Sequence, residues 1–155
     1  MSEAVFTRSC VHLPAVLAVA RGGTGGSTKK NARTNLAVMT ETVLYSNSSG
    51  TISTITLSDT YSNYTYIEVY FNDNGVNNVV RLHTSKGQVQ LSNDYVSSTT
   101  GPSSLYVHTA LLTFSGKTAT FIRQAVFTIT TDDNASIDRT ASNSVRVTRI
   151  VGRGY

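Results

Sequence analysis

Short runs in which apolar or β-branched residues alternate with polar ones extend through most of the chain, from residue 41 to residue 155. Successive side chains of a β-strand point to opposite faces, so this two-residue period indicates strands with a buried face. Clusters of Asn, Ser and Gly separate the runs at the short spacing typical of a sandwich or barrel. We expect strands at 41–46, 51–57, 64–72, 76–84, 87–91, 105–114, 118–131 and 144–151.

Composition agrees with an all-β protein whose surface is polar but weakly charged. Charged residues make up 14% of the 155 residues, against about 25% in a typical soluble domain. Serine and threonine, 19 and 23 residues, fill the difference. These values argue against a disordered chain, a coiled coil and a charged helical bundle. The predicted fold is mainly β, with an antiparallel, jelly-roll-like β-sandwich at 41–155 that follows a short extended or helical segment.

Polar stretches predict the connections between these strands. Tight turns are expected at 47–50, 72–75 and 115–117, because Asn and Gly tolerate the positive φ angles of hairpin turns. The stretch 92–104 is rich in Ser and Thr and contains Gly-Pro, which predicts a long exposed loop. Another loop is expected to begin at 132–134.

Alternation along 64–71 separates an apolar face from an aromatic one. The apolar face holds Ile67, Val69 and Phe71, and the opposite face holds Tyr64, Tyr66, Glu68 and Tyr70. Tyrosines on a solvent face stack on sugars and similar ligands, but aromatic residues are also enriched at subunit interfaces. The sequence therefore leaves two interpretations open for the three tyrosines, a ligand-binding face or an interface.

Two later strands are apolar on both faces. In 105–114, Leu105, Val107 and Leu111 oppose a second face that also holds apolar side chains. In 121–129 the expected shared face consists of Phe121, Ala125, Phe127 and Ile129. The outer face of an isolated antiparallel sandwich is normally more polar, so we expect another chain to cover part of this surface.

Residues 1–40 differ from the rest of the chain. Four glycines at 22–26 form a loop before a predicted helix at 29–36, which Ser27 or Thr28 caps. The loop lacks the Walker pattern and the buried strand that a dinucleotide motif requires, so we expect no nucleotide site. The apolar stretch 11–20 is too short for a membrane span and lacks the charged start of a signal peptide. We expect no membrane insertion.

Charge and chemistry-bearing residues exclude further classes of function. The net charge of +4 and pI near 9.4 arise from basic residues near the two ends, without interleaved aromatics, so we expect no nucleic-acid partner. The single Cys10 excludes an intrachain disulfide and a thiolate zinc site. His12, His83 and His108 lie far apart in sequence. We expect no metal site and no cofactor.

The glycine loop and the helix after it resemble a motif of tailed-bacteriophage fibre proteins. Residues 17–28 (LAVARGGTGGST) and 32–36 (ARTNL) carry the resemblance. The matching positions are Gly22, Gly23, Thr24, Gly25, Ala32, Arg33, Asn35 and Leu36. Arg21 stands where the family commonly has Asn, and Gly26 where it has Ala. Less specific similarity to distal domains of the same group covers 43–50, 55–58, 66–71 and 147–155.

This resemblance implies a homotrimeric virion protein, made in the host cytoplasm and present on the phage particle. Residues 1–40 would trimerise and attach to other virion proteins, and 41–155 would form a tail-fibre tip that binds a host surface glycan or protein. A head or collar fibre that decorates the particle is the alternative. Glycines would let three chains approach closely about an axis. An ordinary linker before a monomeric sandwich explains the same glycines without a trimer.

Recognition residues are expected in the predicted loop at 92–104, since loops on rigid β scaffolds often carry binding sites. Asn93, Asp94 and Tyr95 combine hydrogen bonding with ring stacking, as glycan binding requires. No nucleophile elbow or identifiable carboxylate pair accompanies them. We therefore expect no enzymatic activity, and a glycan depolymerase is the less favoured alternative.

Overall fold

The computed structural model describes residues 24–36, 38–97, 104–130 and 136–154. The chain divides into two compact units, and the boundary falls between Met39 and Thr40. In the first unit the described part contains one helix, α1 (Lys29–Asn35). The second unit, Thr40–Gly154, contains all of the described strands. The loop expected at 132–134 lies outside the described residues.

Helix α1 begins where the sequence predicts. Thr28 is the N-cap: its hydroxyl accepts a hydrogen bond from the backbone N–H of Asn31 at 3.1 Å. This bond satisfies one of the donors left free at a helix start. The helix ends at Asn35, and Leu36 is the C-cap, with its N–H bonded to the carbonyl of Ala32 at 3.1 Å.

Two antiparallel sheets make up the second unit, which confirms the mainly β prediction. The first sheet has the order β1-β9-β3-β4. The second has the order β2-β7-β6-β5, and β8 also pairs with β7. The strands are β1 (Thr40–Thr51), β2 (Ile55–Thr56), β3 (Tyr66–Asp73), β4 (Val76–His83), β5 (Gln88–Ser97), β6 (Ser104–Ser115), β7 (Thr118–Thr130), β8 (Ser136–Ala141) and β9 (Arg146–Gly154).

The inner faces of the two sheets enclose one apolar core, as in a sandwich. Ile67 and Val69 from β3 are 0% exposed, and so are Leu91 of β5 and Leu112 of β6. The apolar face predicted for β3 is thereby confirmed. The strand order departs from a jelly roll because β5–β8 run as a meander within one sheet.

Two of the three predicted tight turns are confirmed. Asn74 and Gly75 have φ angles of 49° and 85° in the β3–β4 hairpin, and Gly116 has φ of 54° between β6 and β7. At 47–50 the turn chemistry is present but no hairpin forms: Gly50 has φ of 68° and the Asn47 side chain accepts from the N–H of Ser49 at 3.1 Å. Ser46 pairs with Arg149 and Thr51 with Val147, so β1 continues past these residues as a large bulge.

The long loop expected at 92–104 is wrong for 92–97 and for Ser104, and residues 98–103 lie outside the described residues. Residues 92–97 belong to β5, and its pairing with β6 continues to Ser97 opposite Ser104. The strand is polar because it lies at the edge of its sheet, where composition does not distinguish a strand from a loop. Strand β8, which pairs with β7 from Ala125 to Thr130, was missed for the same reason.

A bulge in β7 overturns the face predicted for 121–129. Leu112 pairs with Phe121, but Leu111 pairs with Arg123, so Ile122 is an extra residue. Such a bulge reverses the alternation of side chains beyond it. Phe121 packs against the core, whereas the following residues change face. Ala125, Phe127 and Ile129 therefore lie on the outer face of the second sheet.

Gly152→Ala should destabilise the sandwich. The added Cβ would lie 2.5 Å from ring atoms of Tyr64, which packs against this glycine. Overpacking of this kind costs about 1–3 kcal/mol in the free energy of unfolding. Gly154→Ala is the matched control, because its nearest neighbours would be 3.4 Å away. Urea unfolding that gives both variants the same stability would contradict this packing.

Candidate functional site

The two halves of the glycine motif form one hydrogen-bonded unit. Gly25 has a φ of 66°, a left-handed conformation that favours glycine. The side-chain amide of Asn35, at the end of α1, donates to the carbonyl of Thr24 at 2.8 Å. A Cβ on Gly26 would overlap the backbone nitrogen of Ala32. The turn therefore packs directly on the helix backbone.

The remaining motif positions are less informative. Leu36 caps the helix, and its apolar side chain is 52% exposed. Arg33 lies within α1. Gly22 and Gly23 lie outside the described residues.

The outer face of the first sheet carries a set of paired charges, which we call the charged face: Glu41, Tyr66, Glu68, Tyr70, Arg81, Arg149 and Arg153. Strand alternation places them together. In the strand pairing, Glu68 of β3 is opposite Arg81 of β4 on one side and Val151 of β9 on the other. Arg153 of β9 is likewise opposite Glu41 of β1 and Tyr66 of β3.

Glu68 is the centre of the charged face. Its carboxylate accepts hydrogen bonds from Arg81 and Arg153, each at 3.0 Å, and from the Tyr70 hydroxyl at 3.2 Å. Burial alone would raise the pKa of this carboxyl. The hydrogen bonds from the two arginines outweigh burial and hold the pKa below its usual value. The bond to Glu68 likewise raises the pKa of Arg153.

A second carboxylate and two aromatic rings complete the charged face. Glu41 pairs with Arg149 at 2.6 Å and with Arg153 at 2.8 Å. The guanidinium of Arg81 lies 4.3 Å from the ring centre of Tyr66, an attractive arrangement of cation and ring. Val151 beneath these side chains is 0% exposed. These side chains thus cover Val151 on the outer face of the first sheet.

The three tyrosines singled out in the sequence are not one surface. Tyr66 and Tyr70 lie together on the charged face. Tyr64 instead precedes β3, packs on Gly152 and the core, and donates its hydroxyl to Asp59 at 3.1 Å. Gly152 pairs with the buried Ile67, so Tyr64 belongs to the inner side of the sheet.

A shallow concavity of about 380 Å³ adjoins the charged face, where the β1 bulge leaves β9. Its lining combines an aromatic ring, a guanidinium, amides and hydroxyls: Ser48, Tyr70, Phe71, Asn77, Asn78, Thr148 and Arg149. An aromatic ring beside several hydrogen-bonding groups suits a small polar ligand such as a sugar unit.

A buried polar cluster joins the two sheets at one end. Asp73 is 0% exposed and contacts Nδ1 of His108 at 2.9 Å, while the Asn93 amide donates to its other oxygen at 3.0 Å. The Ser144 hydroxyl lies 2.7 Å from the same nitrogen. In a catalytic triad the serine and the carboxylate contact opposite nitrogens of the ring. Here both contact Nδ1, so Asp73, His108 and Ser144 do not have the geometry of a triad.

The residues predicted to form a receptor loop point to different sides of β5. Asn93 faces inward and belongs to the buried cluster. Tyr95 faces the same side and stacks on Tyr106, with ring centres 5.2 Å apart. Asp94 points to the outer face, opposite Val107. These three residues do not form one recognition surface, and the cluster itself was not predicted because its members lie far apart in sequence.

Comparison with protein-family models gives no match, and neither does comparison with curated proteins. Within the described part of the chain, no group of His, Cys, Asp and Glu side chains is arranged to hold a metal ion. No helix among the described residues is long and apolar enough to cross a membrane.

The stability that Glu68 contributes should be lost at acid pH. Its folded-state pKa is lowered from 4.5, so the contribution is complete above that pH and declines as the pH falls through the folded-state value. Wild type should exceed Glu68→Gln in unfolding free energy at neutral pH, and the difference should narrow below pH 4.5. A difference in urea-unfolding stability that does not change with pH would contradict the ion-paired geometry.

Proposed function

We propose that this chain is a non-enzymatic structural protein of a tailed-bacteriophage virion, a homotrimeric tail fibre whose tip attaches to the host surface. Residues 1–40 attach the chain to other virion proteins and help to trimerise it. Residues 41–155 form the sandwich tip. The chain is made in the host cytoplasm and functions on the particle.

The glycine turn packed on α1 is the observation that carries this proposal. The hydrogen bond from Asn35 to Thr24 joins the two halves of the sequence that resembles phage fibre proteins. Gly25 and Gly26 are both required by the local backbone. A flexible linker needs no such contacts, so the packed turn supports a folded attachment element.

The outer face of the second sheet supports assembly. Leu105, Val107, Phe127 and Ile129 lie on it in neighbouring positions of β6 and β7. Large apolar patches on soluble proteins commonly mark protein interfaces. The first sheet carries ion pairs on its outer face beside the exposed Val43 and Val79. The second sheet carries apolar side chains on β5, β6, β7 and β8.

The concavity beside Tyr70 is the best candidate for contact with a host glycan. Arg149 and Asn77 supply hydrogen-bond donors around the ring. Tyr70→Ala should therefore weaken binding of the labelled protein to host cells by about fivefold or more, if loss of a sugar from the ring costs as much as loss of a stacked nucleobase, about 1–3 kcal/mol. The matched control is Val79→Ala. Val79 pairs with Tyr70 and is 55% exposed but does not line the concavity. An equal loss of cell binding in both variants, or no loss of binding in Tyr70→Ala, would count against this site.

A head or collar fibre with no receptor role is the second candidate. The closed ion pairs of the charged face favour it, because Glu41 and Glu68 already engage the guanidinium groups that a ligand would need. Gold labelling of the chain on intact particles separates the two. Label at the distal tail supports the fibre tip, label at the head or collar supports decoration, and unlabelled particles would overturn both.

A further inference from the structure

The outer face of the second sheet is organised in cross-strand rows. One row, the apolar row, contains Val96, Leu105, Ile129 and Ile137, one residue from each of β5, β6, β7 and β8. The next row along the strands has charged ends and contains Asp94, Val107, Phe127 and Arg139. Its two central residues continue the apolar surface.

The ends of the apolar row are strongly exposed. Val96 is 62% exposed and Ile137 is 72% exposed. These residues lie on edge strands, and such apolar edges invite pairing with another chain. Both ends of the row are therefore open to contact with another molecule.

The charges of the second row have opposite signs at opposite edges. Asp94 is on β5 and Arg139 is on β8, and two strands lie between them. Neighbouring strands are about 4.8 Å apart, so their backbones are separated by about 14 Å. Neither side chain has an ion-pair partner among the residues that the structure describes. Asp94 and Arg139 can therefore each form an ion pair with a charged group on another molecule.

This arrangement distinguishes between kinds of assembly. A contact between two β5 edges would place no cation opposite Asp94, because β5 contains no Lys or Arg. A cyclic, head-to-tail contact instead places the β5 edge of one copy beside the β8 edge of the next. Asp94 then meets Arg139, and every copy uses both edges once. The charges therefore favour contact of a β5 edge with a β8 edge over contact between like edges, and the threefold arrangement comes from the proposed trimer.

We infer that two further copies of this chain cover the outer face of the second sheet, with the β5 edge of each copy against the β8 edge of the next. Asp94 pairs with the partner's Arg139 at each of the three contacts, and the apolar rows face the threefold axis. This inference rests on the trimer of the proposed function and specifies its surface. A different virion protein on this face is the competing occupant.

Charge exchange in the full chain tests this contact. Light scattering should give three times 16.7 kDa for the wild type. Asp94→Arg and Arg139→Asp should each raise the concentration for half-assembly at least tenfold, because like charges then oppose each other. The double variant should restore assembly. Asp138→Arg is the matched control, because Asp138 precedes Arg139 on β8 but pairs with Thr128 on the other face, and it should assemble like the wild type.

The outcomes separate the inference from the proposed function. A wild-type trimer that is insensitive to both single reversals, or a double variant that does not recover, overturns the contact and leaves the trimer standing. A monomeric wild type overturns both, and leaves the face to a different protein.

Cysteine cross-linking covers the case in which a reversal fails to fold. Asp94→Cys and Arg139→Cys together, in a Cys10→Ser background, should give covalent trimers on oxidation. A mixture of the two single-cysteine chains should give only pairs. Absence of cross-linked chains from a protein that is trimeric by light scattering would overturn the contact.

Discussion

Each sheet of the sandwich has an inner face that the other sheet covers and an outer face that needs different cover. The inner faces meet in one apolar core, with Val69 and Leu112 fully buried on opposite sides. Burial of this kind is the main favourable contribution to folding. The outer faces differ. The outer face of the first sheet carries ion pairs and tyrosine rings beside the exposed Val43 and Val79, whereas the second carries rows of apolar side chains.

The two outer faces explain how one small domain accommodates strands that are apolar on both sides. On the first sheet, Glu68 and Glu41 hold the arginines over Val151 and exclude water from it. On the second, Asp94 and Arg139 stand at the edges of an apolar band. In the proposed assembly, three such bands meet at the axis and the first sheets face outward, where contact with a host surface would occur.

Sequence alone predicted the features that depend on local periodicity. The buried face of β3, the β3–β4 hairpin and the start of α1 follow from alternation, positive φ at Asn-Gly and a threonine cap. Features that depend on distant pairing were not predicted. The extra residue Ile122 changes the face of the residues that follow it in β7, and only the register with β6 reveals it. The polar residues of β5 suggested a loop. They are polar because β5 lies at an edge of its sheet and because Asn93 donates a hydrogen bond to the buried Asp73.

Amide hydrogen exchange measured across a range of protein concentrations tests most directly whether copies of the chain cover the second sheet. Amides of β5 and β8 should be protected at high concentration and exchange faster after dilution below the assembly range, because their edges pair only between copies. Amides of β4, an edge strand of the first sheet, should exchange at the same rate throughout. Exchange in β5 and β8 that does not depend on concentration, in a protein that dissociates on dilution, would contradict the account.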